Sequence, residues 1–451
     1  MWRGLLPAAL LSAALLALIA GCQGGGGRAP SASAAGQETS DQPAAKAAAG
    51  AAGASEATEA DSLGLPYVYT RWEQFTTKDG LPNDHIFAIK AYGDKVWVGT
   101  EDGLACFDKP TRTWRSWKEA DGLPWRVVTA VEVDPRTGDV WLGLFGGGLA
   151  RFSGGRFDHF HQLNSGLVND VVYGLCIEGE NIWAATTAGA SRYNTVTGEW
   201  TTFTEKNSPM EEIWNYGCCA ADGKVFIAVW GSGVLEYDVA TGQWKDYLDP
   251  DGEMEIDLYR DDGIVHVITT GVSYVEKTMW VSTYFGDSRY DGRHWRGYYK
   301  HETGLPSDFA NNVKARSANE CWFSTDKGPG VLMDFPSDTW VTYTTDHASN
   351  TGKAVIQRGT KVVKEIPLRP TICHPFTIYI EFDGPDVWVG SSKGLAHAIG
   401  EGYYAGLRPP SAASPDPAGP PLGAAGSRGR RSRAARRVPL PRSQTAKEVT
   451  Q

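Results

Sequence analysis

Residues 85–117 read HIFAIKAYGDKVWVGTEDGLACFDKPTRTWRSW, and this stretch decides the fold. It contains four short segments in which apolar and polar residues alternate: HIFAIKAY at 85–92, KVWVGT at 95–100, GLACFD at 103–108 and TWRSW at 113–117. Gly, Asp and Pro separate the segments, which is typical of tight turns. The stretch therefore predicts four consecutive antiparallel strands joined by short turns.

Two features of this stretch recur seven times, so the unit is a repeat. The first is the strand Val-Trp-Val-Gly-Thr, whose aromatic anchor recurs at spacings of 44, 42, 43, 54, 42 and 66 residues: Trp97, Trp141, Trp183, Phe226, Trp280, Trp322 and Trp388. The second is an aromatic residue in a short polar strand, at spacings of 42, 43, 43, 44, 51 and 45 residues: Trp72, Trp114, Phe157, Trp200, Trp244, Trp295 and Trp340. The two series interleave, so both give seven repeats.

Four strands in about 42 residues, repeated seven times, are typical of a β-propeller. The aromatic Trp72 comes before the first complete unit, and the last copy, Val387–Ile399, lacks an outer strand. We therefore expect Tyr67–Phe75 to supply the outer strand of the final blade and to close the ring. The predicted fold is all-β, a seven-bladed β-propeller of four-stranded antiparallel blades over residues 63–404.

Two spacings are long and locate two insertions, within Asp249–Thr270 and at Asp346–Pro375. The second contains a predicted hairpin, Lys353–Ile366, which turns at Arg358. Both insertions precede inner strands, as does the Asp-Gly-Leu-Pro turn at Asp79–Pro82. We expect both to project from the face that carries such turns, around one mouth of the central channel. That position favours a binding role, with decoration of the scaffold as the alternative.

Residues 1–22 read MWRGLLPAALLSAALLALIAGC, which is the layout of a signal peptide. The uncharged apolar stretch Leu5–Ala20 is shorter than a membrane-spanning helix requires. It ends in Ile19-Ala20-Gly21-Cys22, which resembles the bacterial lipobox. The resemblance implies cleavage before Cys22 and acylation of its thiol, with an ordinary secretory signal as the alternative. We therefore expect an exported protein, lipid-anchored to the bacterial cell envelope, at the outer membrane rather than the inner one.

Two segments outside the repeats lack the apolar residues that a core needs. Residues 22–62 are rich in Ala and Gly and are predicted to form a flexible tether after the signal peptide at 1–21. Residues 405–451 hold nine Lys or Arg against two Asp or Glu and are predicted to form a disordered basic tail. The Arg-rich run at 428–437 suits anionic lipid headgroups. An extension without a role is the alternative.

The repeats resemble the two-component regulator propeller repeat. The residues that carry the resemblance are Trp72–Phe75, Gly80–Pro82 and Val96–Thr100 with Gly103-Leu104, and it extends over residues 65–404. Members of that family are extracytoplasmic sensor halves of hybrid histidine kinases and stand-alone envelope proteins. The resemblance implies a sensor-like role without naming a ligand. No membrane span, kinase or response-regulator module follows the repeats, so we expect no signalling through the same chain.

Composition and motifs exclude several classes of function. The formal net charge of −10 disfavours nucleic-acid binding. The sequence holds no nucleophile elbow, phosphate loop, zinc ribbon or haem-attachment motif. We therefore predict no catalytic residue, no cofactor and no metal.

The cysteines allow a cross-link between blades. Cys176 and Cys219 each lie seven residues before the anchor of their repeat, so they occupy equivalent places on neighbouring inner strands. Export makes a disulfide chemically possible. We expect small buried thiols instead, because adjacent inner strands seldom meet disulfide geometry.

The candidate binding residues are polar and aromatic side chains expected at the channel mouth: His85, Trp125, Arg126, Asn169, Asp170, Trp214, His266, Asp308, Arg358 and His374. His266 and His374 lie one in each insertion and are the candidates for an acid–base pair, although nothing in the sequence brings them together.

These observations favour a non-enzymatic binding module, a sensor or scaffold. It would take a small ligand in the mouth or a protein across the face. The alternative is an enzyme of the lyase or hydrolase type, because some seven-bladed propellers, such as the streptogramin lyases, use a His in the channel. The expected partners are a membrane, through the lipid on Cys22, and a small ligand or envelope protein, with no nucleic acid.

Overall fold

The structure is a computed structural model, and it describes residues 65–249, 261–401 and 403. The chain divides into two units, Met1–Leu63 and Gly64–Gln451, and every described residue belongs to the second. The predicted signal peptide, Cys22, the tether and the basic tail lie outside the described residues. Their limits therefore stay predictions.

Within the described residues, thirty strands form seven antiparallel sheets, which are the blades. Strand β1 (Trp72–Phe75) comes first in the chain and belongs to blade seven. Blades one to three consist of β2 (Ile86–Tyr92), β3 (Lys95–Thr100), β4 (Gly103–Asp108), β5 (Thr113–Trp117), β6 (Val128–Val133), β7 (Val140–Leu144), β8 (Gly148–Ser153), β9 (Arg156–Phe160), β10 (Val172–Glu178), β11 (Asn181–Thr186), β12 (Gly189–Asn194) and β13 (Trp200–Phe203).

Blades four to seven continue the same pattern. Their strands are β14 (Asn215–Ala221), β15 (Lys224–Val229), β16 (Gly233–Asp238), β17 (Trp244–Tyr247), β18 (Thr269–Val275), β19 (Thr278–Thr283), β20 (Gly286–Tyr290), β21 (Trp295–Tyr298), β22 (Ala310–Ala315), β23 (Cys321–Thr325), β24 (Gly328–Asp334), β25 (Thr339–Asp346), β26 (Thr351–Arg358), β27 (Lys361–Leu368), β28 (Thr377–Asp383), β29 (Asp386–Ser391) and β30 (Gly394–Ala398). A single 3-10 turn, Glu119–Asp121, is the one helical element among the described residues, and no helix there is long and apolar enough to cross a membrane.

The predicted fold is confirmed. Each blade is a meander that runs from an inner strand to an outer one, and the stretch at 85–117 forms β2 to β5 as expected. In blade seven, β1 pairs with β30 in antiparallel register, with Trp72 opposite Ala398 and Phe75 opposite Leu395. The first strand of the described residues therefore closes the ring. Blade six departs from the four-stranded pattern because β26 and β27 add two strands to its outer edge.

The apolar core lies between the blades. All seven anchors are at most 7% exposed, and each belongs to the second strand of its blade. Trp97 of blade one, for example, packs in one cluster with Val131 and Leu142 of blade two. Each blade thus buries one face on the next, as β-branched and aromatic strands require. Truncating such an anchor to Ala typically costs 3–5 kcal/mol.

A repeated backbone hydrogen bond ties each blade to the next. The loop that leads into each inner strand lies on one face of the ring, which we call the loop face. The acceptor is the carbonyl of the residue two positions before the inner strand. The donor is the N–H of a glycine in the preceding blade, at the turn between its second and third strands, and the distance is 2.6–3.2 Å. These turn glycines are Gly103, Gly148, Gly189, Gly233, Gly286, Gly328 and Gly394. The last of the bonds joins Gly394 to Asp84, so the series closes around the ring.

The turn glycines cannot carry a side chain. Their φ angles lie between +63° and +134°, where L-residues are strained. A Cβ would also meet the carbonyl oxygen of the outer strand, at 2.3 Å from Tyr343 in the case of Gly328. The sequence requires glycine at these seven places for both reasons.

The closing strand is held by charge as well as by pairing. Glu73 of β1 accepts hydrogen bonds from Arg112 of blade one at 2.9 and 3.0 Å. His397 of β30 lies between Glu73, at 3.3 Å, and Asp386, at 2.8 Å. The two ends of the described chain meet beyond this clasp, where the Tyr67 hydroxyl donates to the carbonyl of Glu401 at 2.9 Å.

The prediction that the hairpin of the second insertion projects at the channel mouth is wrong. Its hairpin, β26 and β27, pairs with the outer strand β25 and extends blade six away from the channel. Arg358 ends β26 opposite Thr339, where β25 begins, and the next residue, Gly359, donates to the carbonyl of Asp338 at 3.0 Å. This turn therefore lies on the face opposite the loop face, and Arg358 is not at the mouth.

We expect Gly328→Ala to lower the free energy of unfolding by roughly 3 kcal/mol, because it combines left-handed strain with a backbone clash. Gly384→Ala is the matched control: its φ is also positive, but a Cβ there meets nothing within 4 Å. The control should cost about 1 kcal/mol. Chemical denaturation of both variants measures the difference, and equal losses would show that the turn bond does not depend on glycine.

Candidate functional site

Seven inner strands surround the central channel: β2, β6, β10, β14, β18, β22 and β28. Each contacts the inner strand of both neighbouring blades, and β28 contacts β2. Every inner strand carries a register shift after its first residue. Such bulges turn one side chain away from the regular pleat. The bulge residues are Phe87, Thr129, Tyr173, Tyr216, Thr270, Asn311 and Ile378.

The polar bulge residues show where these side chains lie. The Thr270 hydroxyl donates to the carbonyl of Ala310 at 2.8 Å, and the Asn311 amide donates to the carbonyl of Thr377 at 2.8 Å. Each acceptor is the first residue of the next inner strand. The bulge side chains therefore span neighbouring inner strands at the loop-face mouth of the channel.

Aromatic rings occupy one side of this mouth. Tyr173 and Tyr216 are the bulge residues of β10 and β14, and their ring centroids are 5.0 Å apart. Tyr216 also lies 5.9 Å from Trp214, which precedes β14, and 5.6 Å from Trp230, which follows β15. All four side chains are half-buried, so each keeps part of its ring surface in reach of solvent.

The row of rings continues across blades five and six. Trp230 lies 5.7 Å from Tyr284, which stacks on Phe309 with a centroid distance of 4.2 Å. Burial raises the pKa of Tyr284 above its ordinary value, so its hydroxyl stays neutral. We call these six residues the aromatic wall: Tyr173, Trp214, Tyr216, Trp230, Tyr284 and Phe309.

Four charged side chains lie deeper in the channel, each directly opposite the anchor of its blade: Lys90, Glu132, Lys314 and Glu381. The Nζ of Lys90 lies 2.7 Å from an oxygen of Glu132, and the Nζ of Lys314 lies 2.9 Å from an oxygen of Glu381. Blades six, seven, one and two are consecutive around the ring, so the four charges alternate in sign. We call this cluster the channel plug.

The plug is electrostatically self-contained. Burial alone would lower the pKa of Lys90 and of Lys314, but the carboxylates of Glu132 and Glu381 outweigh it and raise both. Both ammonium groups are therefore charged at neutral pH and are balanced by the two carboxylates. A ligand that enters from the loop face meets the aromatic wall first and a floor without net charge below it.

The opposite half of the channel carries small residues. At the depth of the plug, blades three to five present Cys176, Cys219 and Ser273. Toward the mouth they present Gly174, Gly217 and Gly271. The long charged side chains of the other blades therefore have room to extend across the axis.

Several predicted site residues shape the loops instead of facing a ligand. Asn169, His266 and His374 all lie three residues before the position where their inner strand begins, and each side chain accepts a backbone N–H two residues on, at 2.8, 3.0 and 3.1 Å. Asp170 and Asp308 accept the backbone N–H groups of Gln162 and Lys300, at 2.8 and 2.6 Å. These contacts hold the loop-face turns.

The two histidines do not form an acid–base pair. His266 belongs to blade five and His374 to blade seven, with blade six between them. In both rings Nδ1 accepts a backbone N–H, so the neutral form carries its proton on Nε2. Burial lowers the pKa of both, and Lys393 and His347 lower the pKa of His374 further.

The remaining predicted residues lie in loops of the loop face, one to three residues before an inner strand. His85 is 5% exposed, with its Nδ1 3.3 Å from Glu101, and its Nε2 has no hydrogen-bond partner among the described residues. Burial lowers the pKa of His85, although Glu101 opposes this. Arg126 extends toward the same Glu101 at 3.8 Å. Trp125 is 40% exposed and donates to the Phe145 carbonyl, and Trp214 belongs to the aromatic wall.

The sequence analysis missed most of the aromatic wall and the whole plug. An alignment of the seven repeats would have found the plug. Lys90 lies seven residues before its anchor and Glu132 nine residues before its own, and each is paired directly with that anchor in the sheet. The wall gave no such signal, since bulges that re-aim Tyr173 and Tyr216 leave the pattern of strand residues unchanged.

Comparisons with known proteins identify the fold. No protein-family model and no curated protein matches the chain. Among solved structures, it is similar to the extracellular domains of two hybrid two-component systems from B. thetaiotaomicron, at 15% and 11% identity and a TM-score of 0.54 for both. The matches cover 72% and 73% of this chain but 41% and 40% of those chains. The chain thus spans about two fifths of the length of these structures.

A second kind of structure shares the fold. A catalytically inactive variant of virginiamycin B lyase from Staphylococcus aureus, solved with quinupristin, matches at 12% identity and a TM-score of 0.50. That match covers 72% of this chain and 98% of the lyase. At such identities these similarities show the propeller fold and leave the ligand open.

We expect Glu381→Gln to lower the free energy of unfolding by about 3 kcal/mol, because it leaves the Lys314 ammonium buried without its partner. Glu365→Gln is the control, since its ion pair with Lys353 has the same chemistry but is 45% and 49% exposed. That exposed pair should contribute less than about 1 kcal/mol. Chemical denaturation compares the two, and equal costs would contradict the plug as a buried charge network.

Proposed function

We propose that this protein is an exported, lipid-anchored β-propeller of the bacterial cell envelope that binds a ligand at the loop-face mouth of its channel without chemical conversion. The aromatic wall above a floor without net charge is the observation that carries the proposal. Half-buried Trp and Tyr rings offer large, rigid contact surfaces at low entropic cost. The seven-bladed scaffold holds them through the turn bonds, so the surface is formed before a ligand arrives.

The position of the chain ends supports an anchored binding module. β1 runs toward the loop face, so the segment before it starts on the opposite face, where Tyr67 contacts Glu401 and Tyr403. A tether from Cys22 would therefore join the propeller on the side away from the mouth. The similarity to extracellular domains of two-component systems agrees with export and with a sensor-like role.

One contact favours catalysis as a second candidate. The Ser392 hydroxyl lies 2.9 Å from Nδ1 of His374, which is the distance of a nucleophile from its general base. The backbone N–H of Phe376 occupies the same nitrogen at 3.1 Å, however, so that lone pair is shared. Binding without conversion therefore ranks first.

We expect Trp230→Ala to abolish the stabilisation that a bound ligand gives, because Trp230 links the two halves of the aromatic wall. The measurement is thermal unfolding of the full chain against a panel of metals, glycans, peptides and envelope extract. A ligand at 100 times its Kd should add about 2.7 kcal/mol to the free energy of unfolding.

Trp244→Ala is the matched control, because Trp244 is a half-buried tryptophan on the outer strand of the same blade. It should lower stability while keeping the ligand-induced shift. A shift that survives Trp230→Ala would contradict a site at the aromatic wall. Stabilisation by extract alone would favour a protein-binding scaffold, and turnover of a panel compound that His374→Ala removes would favour the enzyme.

We expect Cys22→Ser to release the protein from the membrane fraction, because the lipobox-like sequence Ile19–Cys22 loses the thiol that carries the lipid. Fractionation of expressing bacteria, with mass spectrometry of the new N-terminus, measures the effect. Cys106→Ser is the control, since that thiol is buried within blade one. Membrane retention of the Cys22 variant without acyl mass would contradict lipid anchoring.

A further inference from the structure

Blades three and four approach each other unusually closely beneath the aromatic wall. Gly174 of β10 and Gly217 of β14 face each other so nearly that a Cβ on Gly174 would lie 2.7 Å from the Cα of Gly217. The two backbones therefore touch without a side chain between them. Such an approach brings the neighbouring Cα atoms toward the 4.4–6.8 Å range in which a disulfide forms.

Two thiols follow directly on these strands. Cys176 lies opposite Trp183 in the ladder between β10 and β11. The Sγ of Cys218, on blade four, lies 3.9 Å from the carbonyl oxygen of the same Trp183. Cys176 and Cys218 also pack in one apolar cluster between blades three and four. Both sulfur atoms thus converge on one point of blade three.

Cys219 is directed elsewhere. Successive residues of a strand point to opposite faces of the sheet. Cys219 accordingly packs with Phe226 and Tyr274 in the cluster between blades four and five. Cys176 and Cys219 do occupy equivalent strand positions, as the sequence predicts, but they lie in different apolar clusters.

We propose that Cys176 and Cys218 are a redox-active pair that forms a disulfide between blades three and four when the protein meets a disulfide oxidant. All six cysteines of the described residues are free thiols. The site is independent of the proposed function, although its two strands also carry Tyr173 and Tyr216 of the aromatic wall. Oxidation would fix the spacing of those two strands covalently.

The reaction is a thiol–disulfide exchange in two steps. The Cys218 thiolate attacks one sulfur of the oxidant, R–S–S–R, which forms a mixed disulfide and releases one RS⁻. The Cys176 thiolate then attacks the Cys218 sulfur, which forms the Cys176–Cys218 bond and releases the second RS⁻. The protons lost by the two cysteines leave on the two RSH products. The protein is oxidised by two electrons and the oxidant is reduced by two.

Accessibility assigns the order of attack. Cys218 is half-buried, whereas Cys176 is only 4% exposed. Burial, and then the hydrogen bond to Cys218, raises the pKa of the Cys176 thiol well above its ordinary value. Cys218 is therefore the thiol that an outside oxidant reaches first, and Cys176 is the resolving thiol, which loses its proton as it attacks the mixed disulfide on Cys218.

The test treats the reduced full chain with oxidised glutathione, blocks the remaining thiols by alkylation and maps the peptides by mass spectrometry. We expect the loss of two free thiols and a cross-link between the peptides that contain Cys176 and Cys218. We also expect the thermal midpoint to rise by about 5 °C, because the link closes a loop of roughly 40 residues. Dithiothreitol should reverse both changes.

Two alanine variants separate the adjacent cysteines. Cys219→Ala should keep the cross-link and the thermal shift, whereas Cys218→Ala should lose both. A wild-type chain that forms no cross-linked peptide, or that stops at a glutathione adduct on Cys218, would overturn the proposal. A cross-link that survives Cys218→Ala would assign the partner to Cys219 and would overturn it too.

Discussion

One hydrogen bond, made seven times, holds this architecture together. It joins the N–H of a turn glycine to the carbonyl before the next inner strand, and the last copy links Gly394 to Asp84 across the closure. Because it involves only backbone atoms, it is indifferent to the side chains of the loops. The loops can therefore vary from blade to blade while their ends stay fixed, which is the condition for an irregular site on a regular ring.

The channel uses this freedom unevenly. The inner strands of blades six, seven, one and two carry long charged side chains near the axis. At the corresponding positions, blades three to five carry Gly, Cys and Ser. The same three blades contribute five of the six rings of the aromatic wall, and Phe309 of blade six is the sixth. The small residues deep in the channel explain the position of the large rings at the mouth. Because β10 and β14 approach each other closely, Tyr173 and Tyr216 have space only toward the opening. Packing of small residues deep in the channel thus determines the shape of the surface at the mouth.

Fold and site differ in how far the sequence predicts them. The anchors and outer aromatics fix seven blades and the clasp, because burial between blades demands a large apolar residue at one position of every repeat. The candidate binding residues other than Arg358 lie in the loops that precede inner strands, where the repeat pattern puts them. Arg358 lies elsewhere because a hairpin before an inner strand can instead add to a sheet edge. The sequence does not predict a functional side chain when its position depends on contacts between two blades. Tyr216 becomes part of the aromatic wall because of a bulge in β14. Cys218 lies near Cys176 because two glycines let the blades approach. Neither feature has a recognisable pattern within a single repeat.

The meeting of the chain ends has a consequence for connectivity. Tyr67 and Glu401 touch, so the order of blades is cyclic in space although the polypeptide is linear. A short peptide that joined these ends would let the chain be cut in another loop, and such a circular permutant would retain every strand pair. The seam between first and last strand would then move to a different blade. The position of the clasp is thus set by which strand comes first among the seven blades, and the ring itself has no preferred starting point.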